Sequence, residues 1–218
     1  MSEYTLDAGA AKKAENLFSK IEEKGKYAGI FTRAEKTVSK KGTKGIDFSF
    51  KSESGATADY LTIWTHNGDG VQLPGYNTLM AIMTCLKVKS LDPENGEVEK
   101  YDSATQKRIK TSVPLFKELM NKPIGLLMIM EEYAKMSNGY ATGETAWKPT
   151  IVAPFTADGF TATEVLTKAT SPATVEKMVD QLRDKPLKNK PAASSDNGFG
   201  DQKQHASSDP LGGDDIPF

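Results

Sequence analysis

Three consecutive segments constrain the fold more than any other feature of the sequence. They are rich in aromatic, β-branched and Thr residues and lie at 27–36, 44–52 and 57–65. In the second segment Ile46, Phe48 and Phe50 alternate with polar residues, which is the two-residue period of a half-buried β-strand. The breaks at Gly42 and Gly55 are short enough for hairpin turns. The sequence therefore predicts three successive antiparallel strands.

The rest of the chain predicts further helices and strands, followed by a tail. The elements expected from apolar spacing and turn residues are an amphipathic helix over 10–24, a helix over 75–88, a hairpin over 98–113, strands over 124–133 and 145–155, and a short docked helix over 172–183. Gly, Pro, Ser and Asp fill 18 of the 35 positions in 184–218. A segment so poor in apolar residues cannot offset the entropy of ordering, and we expect it to be disordered.

This order of elements is mainly β and matches the OB-fold, a five-stranded antiparallel barrel, here with a helix between strands 3 and 4. The hairpin would be inserted before strand 4, and the helix over 10–24 would be an N-terminal addition. We expect a binding domain over 1–170, the docked helix within 171–183 and the tail over 184–218. OB-folds bind oligonucleotides on strands 2 and 3 and on the loops that join strands 1 to 2 and 4 to 5.

Basic and aromatic residues fall where such a ligand would lie. Residues 12–51 carry eleven basic and five acidic side chains, a net charge of +6 in a chain whose total is −1. The cations expected to face phosphates are Arg33, Lys36, Lys40, Lys41, Lys44 and Lys51. If Leu61 and Ile63 face the core, the strand period turns Tyr60 and Trp64 outward, where bases could stack. Core packing of these two rings is the competing interpretation.

Composition argues against several other classes of protein. No apolar run approaches the roughly 18 residues of a membrane span, and the N-terminus has no basic block followed by an apolar one, so we expect a cytoplasmic protein that does not contact membranes. Cys85 is the single cysteine, and together with His66 and His205 it forms no pattern with zinc-ligand spacing. We therefore expect neither a metal nor a cofactor.

The chain ends in a short peptide that is both acidic and apolar. Its residues are Asp214, Asp215, Ile216, Pro217 and Phe218. At the end of a flexible tail, the aromatic ring can fill a hydrophobic pocket of a partner protein while the carboxylates contact basic residues around that pocket. This peptide resembles the C-terminal tip of bacterial single-stranded DNA-binding proteins. The resemblance implies that the tip recruits replication, recombination or repair proteins.

The body of the chain is similar to a different group, a phage family of single-stranded DNA-binding proteins formerly labelled a domain of unknown function. The similarity covers most of 24–165 and is carried by GKYAGIFTRAEK at 25–36, TADYLTIW at 57–64 and EEY at 131–133. It implies a protein that coats and protects single-stranded DNA without sequence specificity during phage DNA replication, recombination or repair, in the host cytoplasm. The bacterial domain is shorter and lacks the N-terminal helix and the hairpin, so its tetramer is not implied, and a homo-oligomer stays open.

Two other functions remain as alternatives. The first is an adaptor that recruits replication proteins through the tip without holding DNA. The second is a metal-dependent nuclease, although Glu131 and Glu132 are adjacent and are therefore expected on opposite faces of a strand. The sequence contains no nucleophile-elbow, Walker or zinc-protease motif, and we expect a binding protein and not an enzyme.

Overall fold

The computed structural model describes residues 20–102, 106–137 and 140–188. Within these ranges the strands are β1 (Gly25–Val38), β2 (Lys44–Ser52), β3 (Thr57–His66), β4 (Glu94–Asp102), β5 (Lys107–Leu115), β6 (Pro123–Ser137) and β7 (Tyr140–Phe155). The helices are α1 (Pro74–Cys85), a 3-10 turn (Lys117–Leu119), α2 (Ala162–Leu166) and α3 (Val175–Gln181). None of these helices is long and apolar enough to span a membrane. The fold is mainly β and antiparallel, with a helix after the third strand, as the sequence predicts.

The sheet is organised around β1, which pairs with three other strands. Most of β1 pairs with β2, its first residues also pair with β6, and its far end meets β5. β3 extends the sheet beyond β2, β4 extends it beyond β5, and β7 extends it beyond β6. β3 and β7 approach each other, but no backbone ladder joins them in the described part of the chain. The sheet is open along this line, which we call the β3–β7 seam.

The sheet therefore does not close into the barrel predicted from the sequence within the described part of the chain. α1 packs against both β3 and β7. The carbonyl oxygens of Thr57 and Thr65 on β3 already accept hydrogen bonds from the Ile21 and Leu73 N–H groups. These contacts use part of the strand edge that would otherwise pair with β7.

The hydrophobic core lies between the first three strands, β6 and α1. Its fully buried side chains include Phe31, Phe48, Phe50, Ile82, Ile124, Leu126 and Met128. The ring of Phe31 packs against those of Phe48 and Phe50, with centroids 4.4 and 5.9 Å apart. Such aromatic pairs stabilise a core beyond the area that they bury. The alternation in β2 predicts this face correctly.

α1 closes one end of the core. Pro74 stands in its first turn, where the fixed backbone angle of proline suits a helix and its missing N–H has no consequence. Leu79, Ile82 and Met83 are buried, and the helix coincides with the predicted one except for the last residues. The thiol of Cys85 is buried as well. Burial raises the pKa of this thiol to about 11, which disfavours the reactive thiolate.

Two hairpins extend from the core. The inserted hairpin of β4 and β5 is present where the sequence predicts it, with a ladder that begins at the pair Glu94 and Leu115. The second hairpin is formed by β6 and β7. β6 is buried from Ile124 to Met128, but the distal part of the hairpin, residues 131–137 and 140–148, is largely exposed. We call this part the β6–β7 arm. The apolar continuity of 124–133 and 145–155 predicts burial on both faces, and this prediction is wrong for the arm.

The predicted N-terminal helix is wrong over the residues that the structure describes. Lys20 forms a parallel bridge with Thr57, and the Ile21 N–H donates to the Thr57 carbonyl oxygen at 2.8 Å. This backbone pairing buries the side chain of Ile21 in the core without a helix. Residues 10–19 lie outside the described part of the chain.

The C-terminal helix predicted over 172–183 is present as α3, which begins three residues later. Val175 and Leu182 pack with Leu127 and Phe155 in a second small core. After α3, residues 184–188 lie along the free edge of β6. The prediction that the disordered tail begins at residue 184 is therefore wrong for these five residues. The Lys185 N–H donates to the Met130 carbonyl and the Lys185 carbonyl accepts from the Glu132 N–H, at 2.8 and 2.9 Å. Residues 189–218, the remainder of the predicted tail, lie outside the described residues.

Candidate nucleic-acid interface

The sheet formed by β1, β2 and β3 has one face on the core and one facing away from it. The second face, which we call the outer face, carries Arg33, Glu35, Gly45, Asp47, Ser49, Lys51, Tyr60, Thr62 and Trp64. On β3, Leu61 and Ile63 are buried, whereas Tyr60 is 71% exposed and Trp64 is 37% exposed. The predicted phase of this strand is confirmed. The side chain of Tyr60 is not a core residue.

Trp64 covers a glycine in the neighbouring strand. Gly45 lies directly opposite Trp64, and a β-carbon on Gly45 would come within 2.9 Å of the indole ring and 2.5 Å of the Ile63 carbonyl oxygen. The indole therefore occupies the place of the missing side chain and packs one side on the sheet. The part that stays exposed is a flat apolar surface of the kind on which a nucleobase stacks.

Tyr60 has a backbone conformation that is rare for its residue type. Its φ angle is +59°, in the left-handed region, and Ser49 on β2 faces both Asp59 and Tyr60 at a β-bulge. A left-handed residue other than glycine costs on the order of 1–2 kcal/mol. Residues strained in this way cluster at functional sites, because the surrounding structure must hold them in place. The exposed ring of Tyr60 is thus presented at a cost in stability.

Arg33, one of the predicted phosphate ligands, lies among carboxylates. Its Nη2 atom is 2.5 Å from Asp47 Oδ2 and its Nη1 atom is 3.7 Å from Glu35 Oε2, while only 13% of the side chain is exposed. Lys100 on β4 donates to the same Glu35 carboxylate at 2.6 Å. The guanidinium carbon lies 5.6 Å from the centroid of the Tyr60 ring. The charge of Arg33 is neutralised within the protein, next to the exposed aromatic.

The other predicted cations lie at the surface and form no ion pair with another described residue: Lys36, Lys40, Lys41, Lys44 and Lys51. Lys51 shares the outer face with the aromatic residues. Lys36 and Lys44 belong to the opposite face, because each is next in sequence to an outer-face residue. Lys40 and Lys41 lie in the turn between β1 and β2. The structure thus brings Lys51 onto the aromatic face and leaves the other four around the end of the β1–β2 hairpin.

Tyr60 stands between two grooves. The first, of about 400 Å³, follows the β3–β7 seam between residues 60–64 and 148–151 and is called the seam groove below. The second, of about 340 Å³, lies between the outer face and β4 and includes Asp59, Glu97 and Glu99 in its lining. We call it the acidic groove. Its cations Arg33 and Lys100 are paired with Glu35, so its carboxylates would repel a phosphate. The seam groove has one carboxylate, Glu131, and one ammonium, Lys148.

The sequence reasoning missed a second set of exposed aromatic residues on the β6–β7 arm. Tyr133, Trp147 and Tyr140 are exposed there, and the ammonium of Lys148 lies 5.9 Å from the centroid of the Tyr133 ring. Lys148 also lines the seam groove. The apolar continuity of the segment suggested burial. The charged neighbours of Tyr133 and Trp147 in the sequence were the signal that pointed to solvent.

The two adjacent glutamates of β6 are both held by hydrogen bonds. Glu131 accepts from Lys185 Nζ at 2.7 Å and from the Thr150 hydroxyl at 3.3 Å, and the hydrogen bond from Lys185 lowers the pKa of this carboxyl. Glu132 is buried and accepts from the Thr145 hydroxyl at 2.5 Å. Glu132 also accepts a hydrogen bond from the Leu187 N–H at 3.1 Å. Among the described residues, no group of three or more His, Cys, Asp or Glu side chains is placed to hold a metal ion.

The sequence matches no protein-family model and no curated protein. The predicted partner-binding tip, residues 214–218, lies outside the described part of the chain, so its role stays a prediction. The geometry of the outer face is therefore the basis for a proposed function.

Proposed function

We propose that this protein has an OB-fold and binds single-stranded DNA without sequence specificity across its outer face. The observation that carries the proposal is the strained and exposed Tyr60 beside Trp64 on the third strand. OB-folds use this part of the sheet for oligonucleotides. The strand connections support the assignment, since β1 pairs with β2 and β6, and α1 follows β3. The open β3–β7 seam is compatible with the partly open barrel of this fold.

The bound strand would present its bases and its phosphates to different parts of the surface. Bases would stack on Tyr60 and Trp64, with a contribution of about 1–3 kcal/mol for each stack. The acidic groove disfavours phosphates, so the backbone would run toward the lysines without ion pairs at the end of the β1–β2 hairpin. Neither contact reads the edge of a base. Binding of this kind tolerates any sequence and weakens as the salt concentration rises.

Fluorescence anisotropy with a labelled oligothymidine tests this proposal. Tyr60→Ala and Trp64→Ala should each weaken binding by about 5- to 150-fold, which corresponds to about 1–3 kcal/mol for one lost stack. Tyr140→Ala is the matched control, because Tyr140 is also 71% exposed but lies at the end of the β6–β7 arm. It should leave binding nearly unchanged. Loss of cooperative unfolding in the two test variants, without a specific binding defect, would contradict the stacking role.

The proposal includes a role for the C-terminal tip that rests on sequence alone. Residues 214–218 would recruit replication, recombination or repair proteins, and the DNA-binding body would coat phage single-stranded DNA during those processes. A wild-type protein that failed to bind the oligothymidine would instead favour the adaptor function. Cleavage of the oligonucleotide in the presence of Mg²⁺ would favour the nuclease.

A further inference from the structure

Arg33 lies on the outer face, but its surroundings differ from those of a phosphate ligand. The side chain is 13% exposed, and Asp47 and Glu35 take up the charge that a phosphate would need. Its Nε atom is buried and has no hydrogen-bond partner among the described residues. The guanidinium is thus held by Asp47 through its Nη2 atom. The guanidinium group of Arg33 also lies next to the ring of Tyr60.

The backbones of β1 and β3 bring these two residues together. β1 has a register shift between Phe31 and Arg33, so Arg33 lies opposite Ser49 of β2. β3 has its own irregularity at the same place, where Ser49 faces Tyr60 from the other side. The guanidinium carbon of Arg33 and the ring centroid of Tyr60 are 5.6 Å apart across this point. Two independent bulges therefore converge on one contact between a cation and an aromatic ring.

A second set of bonds fixes the carboxylate that holds the guanidinium. Asp47 accepts from Arg33 through one oxygen and from the Thr62 hydroxyl through the other, at 2.5 and 2.9 Å. Thr62 is two residues from Tyr60 on the same face of β3. The chain of contacts runs from Thr62 through Asp47 and Arg33 to Tyr60. It connects the strand that carries the ring to the group beside the ring.

We propose that Arg33 is a positioning residue that holds the Tyr60 ring in the orientation in which a base stacks on it, and that Arg33 itself contacts no phosphate. This inference rests on the proposed single-stranded DNA binding. A planar guanidinium can lie against an aromatic ring while its edge binds a carboxylate, and an ammonium cannot do both in the same way. A lysine at this position would keep the charge but lose the support for the ring.

The test is the binding of labelled oligothymidine by Arg33→Lys at several salt concentrations. We expect binding about 3- to 10-fold weaker than that of the wild type, with the slope of log affinity against log salt unchanged. In the Tyr60→Ala background the same substitution should have no further effect, because the ring that Arg33 positions is absent. Thermal unfolding of each variant checks the fold. Thr62→Val, a milder change in the same chain of contacts, should give a smaller loss that also disappears with Tyr60→Ala.

Lys51→Ala is the comparison for a cation on the same face without an ion pair. It should reduce the salt slope by about 0.7 if Lys51 meets one phosphate. A similar fall in slope for Arg33→Met, together with wild-type affinity for Arg33→Lys, would identify a phosphate contact and overturn the positioning role. Additive losses for Arg33→Lys and Tyr60→Ala would overturn it as well. A wild type that does not bind the oligonucleotide would instead overturn the proposed function, and this inference with it.

Discussion

At the scale of single residues, the backbone strain at Tyr60 lowers the stability of the fold while its ring stays exposed on the outer face. Glycine adopts a φ of +59° without strain, whereas alanine keeps the strain of the tyrosine. The free energy of unfolding of Tyr60→Gly should therefore be about 1 kcal/mol larger than that of Tyr60→Ala. Urea denaturation measures both values. The two variants should lose the same stacking energy, so their DNA affinities should agree. Equal stabilities would mean that the bulge carries no strain.

The sequence predicts the exposure of Tyr60 but not the reason that its ring is fixed. The alternation of Leu61 and Ile63 with their neighbours is a local pattern, and it is sufficient to give the face of β3. The position of Arg33 among other cations in the sequence predicts a phosphate ligand. Its partners Asp47 and Tyr60 come from two other strands, and only the register of the sheet brings them together.

At the scale of elements, β1, β2, β3 and α1 were predictable because each carries a clear period. The β6–β7 arm was not, since apolar residues in an arm that leaves the core look the same in sequence as residues inside it. The short helix α2 is absent from the sequence prediction, although its first turn carries a local signal. Thr161 and Glu164 have the spacing of a capping box, and the structure contains both of its hydrogen bonds.

The capping box also joins α2 to the start of α3 and predicts a dependence on pH. The pKa of Glu164 is lowered to about 2, first by the Thr161 N–H and then by the Thr174 hydroxyl and the Ala173 N–H. A carboxyl whose pKa is lower in the folded state stabilises the fold fully above its unfolded value of 4.5, and this contribution is lost as the pH falls toward 2. When the pH is lowered from 4.5 to 2, the melting temperature of the wild type should therefore decrease more than the melting temperature of Glu164→Gln does.

The control for this experiment is Glu53→Gln, which changes an exposed glutamate that has no ion pair within the described residues. Its melting curve should follow that of the wild type over the same pH range. Parallel curves for the wild type and Glu164→Gln would show that the capping carboxylate does not stabilise the junction of α2 and α3.

At the scale of the whole molecule, a total charge of −1 does not attract DNA. Electrostatic binding of the DNA therefore depends on a local group of lysines. Lys40 and Lys41 lie together in the β1–β2 turn without ion pairs to described residues. Replacing both by Gln should reduce the salt slope of DNA binding by about 0.7 for each phosphate contact that is lost. Lys177→Gln, an exposed position on α3, should leave the slope unchanged. An unchanged slope in the double variant would place the phosphates elsewhere.

The C-terminal tail connects the two halves of the proposed function. The last described residue, Lys188, follows the segment held at the edge of β6, and 30 residues come after it. Their composition predicts a flexible coil, whose root-mean-square reach would be roughly 30 Å. The carboxylates near the tip, which include Asp214 and Asp215, could then visit the lysines at the end of the β1–β2 hairpin. Their effective concentration there would be on the order of millimolar.

Such a concentration is enough for weak electrostatic competition with DNA and too low for a stable closed state. Deleting residues 209–218 should therefore raise DNA affinity, chiefly at low salt, where screening is least. Phe218→Ala keeps the acidic residues and should leave DNA binding nearly unchanged while it abolishes partner recruitment. Anisotropy titrations at two ionic strengths separate these effects. If the truncated protein bound no better than the full chain at low salt, competition by the tail would be wrong, and the tip would be left with recruitment alone.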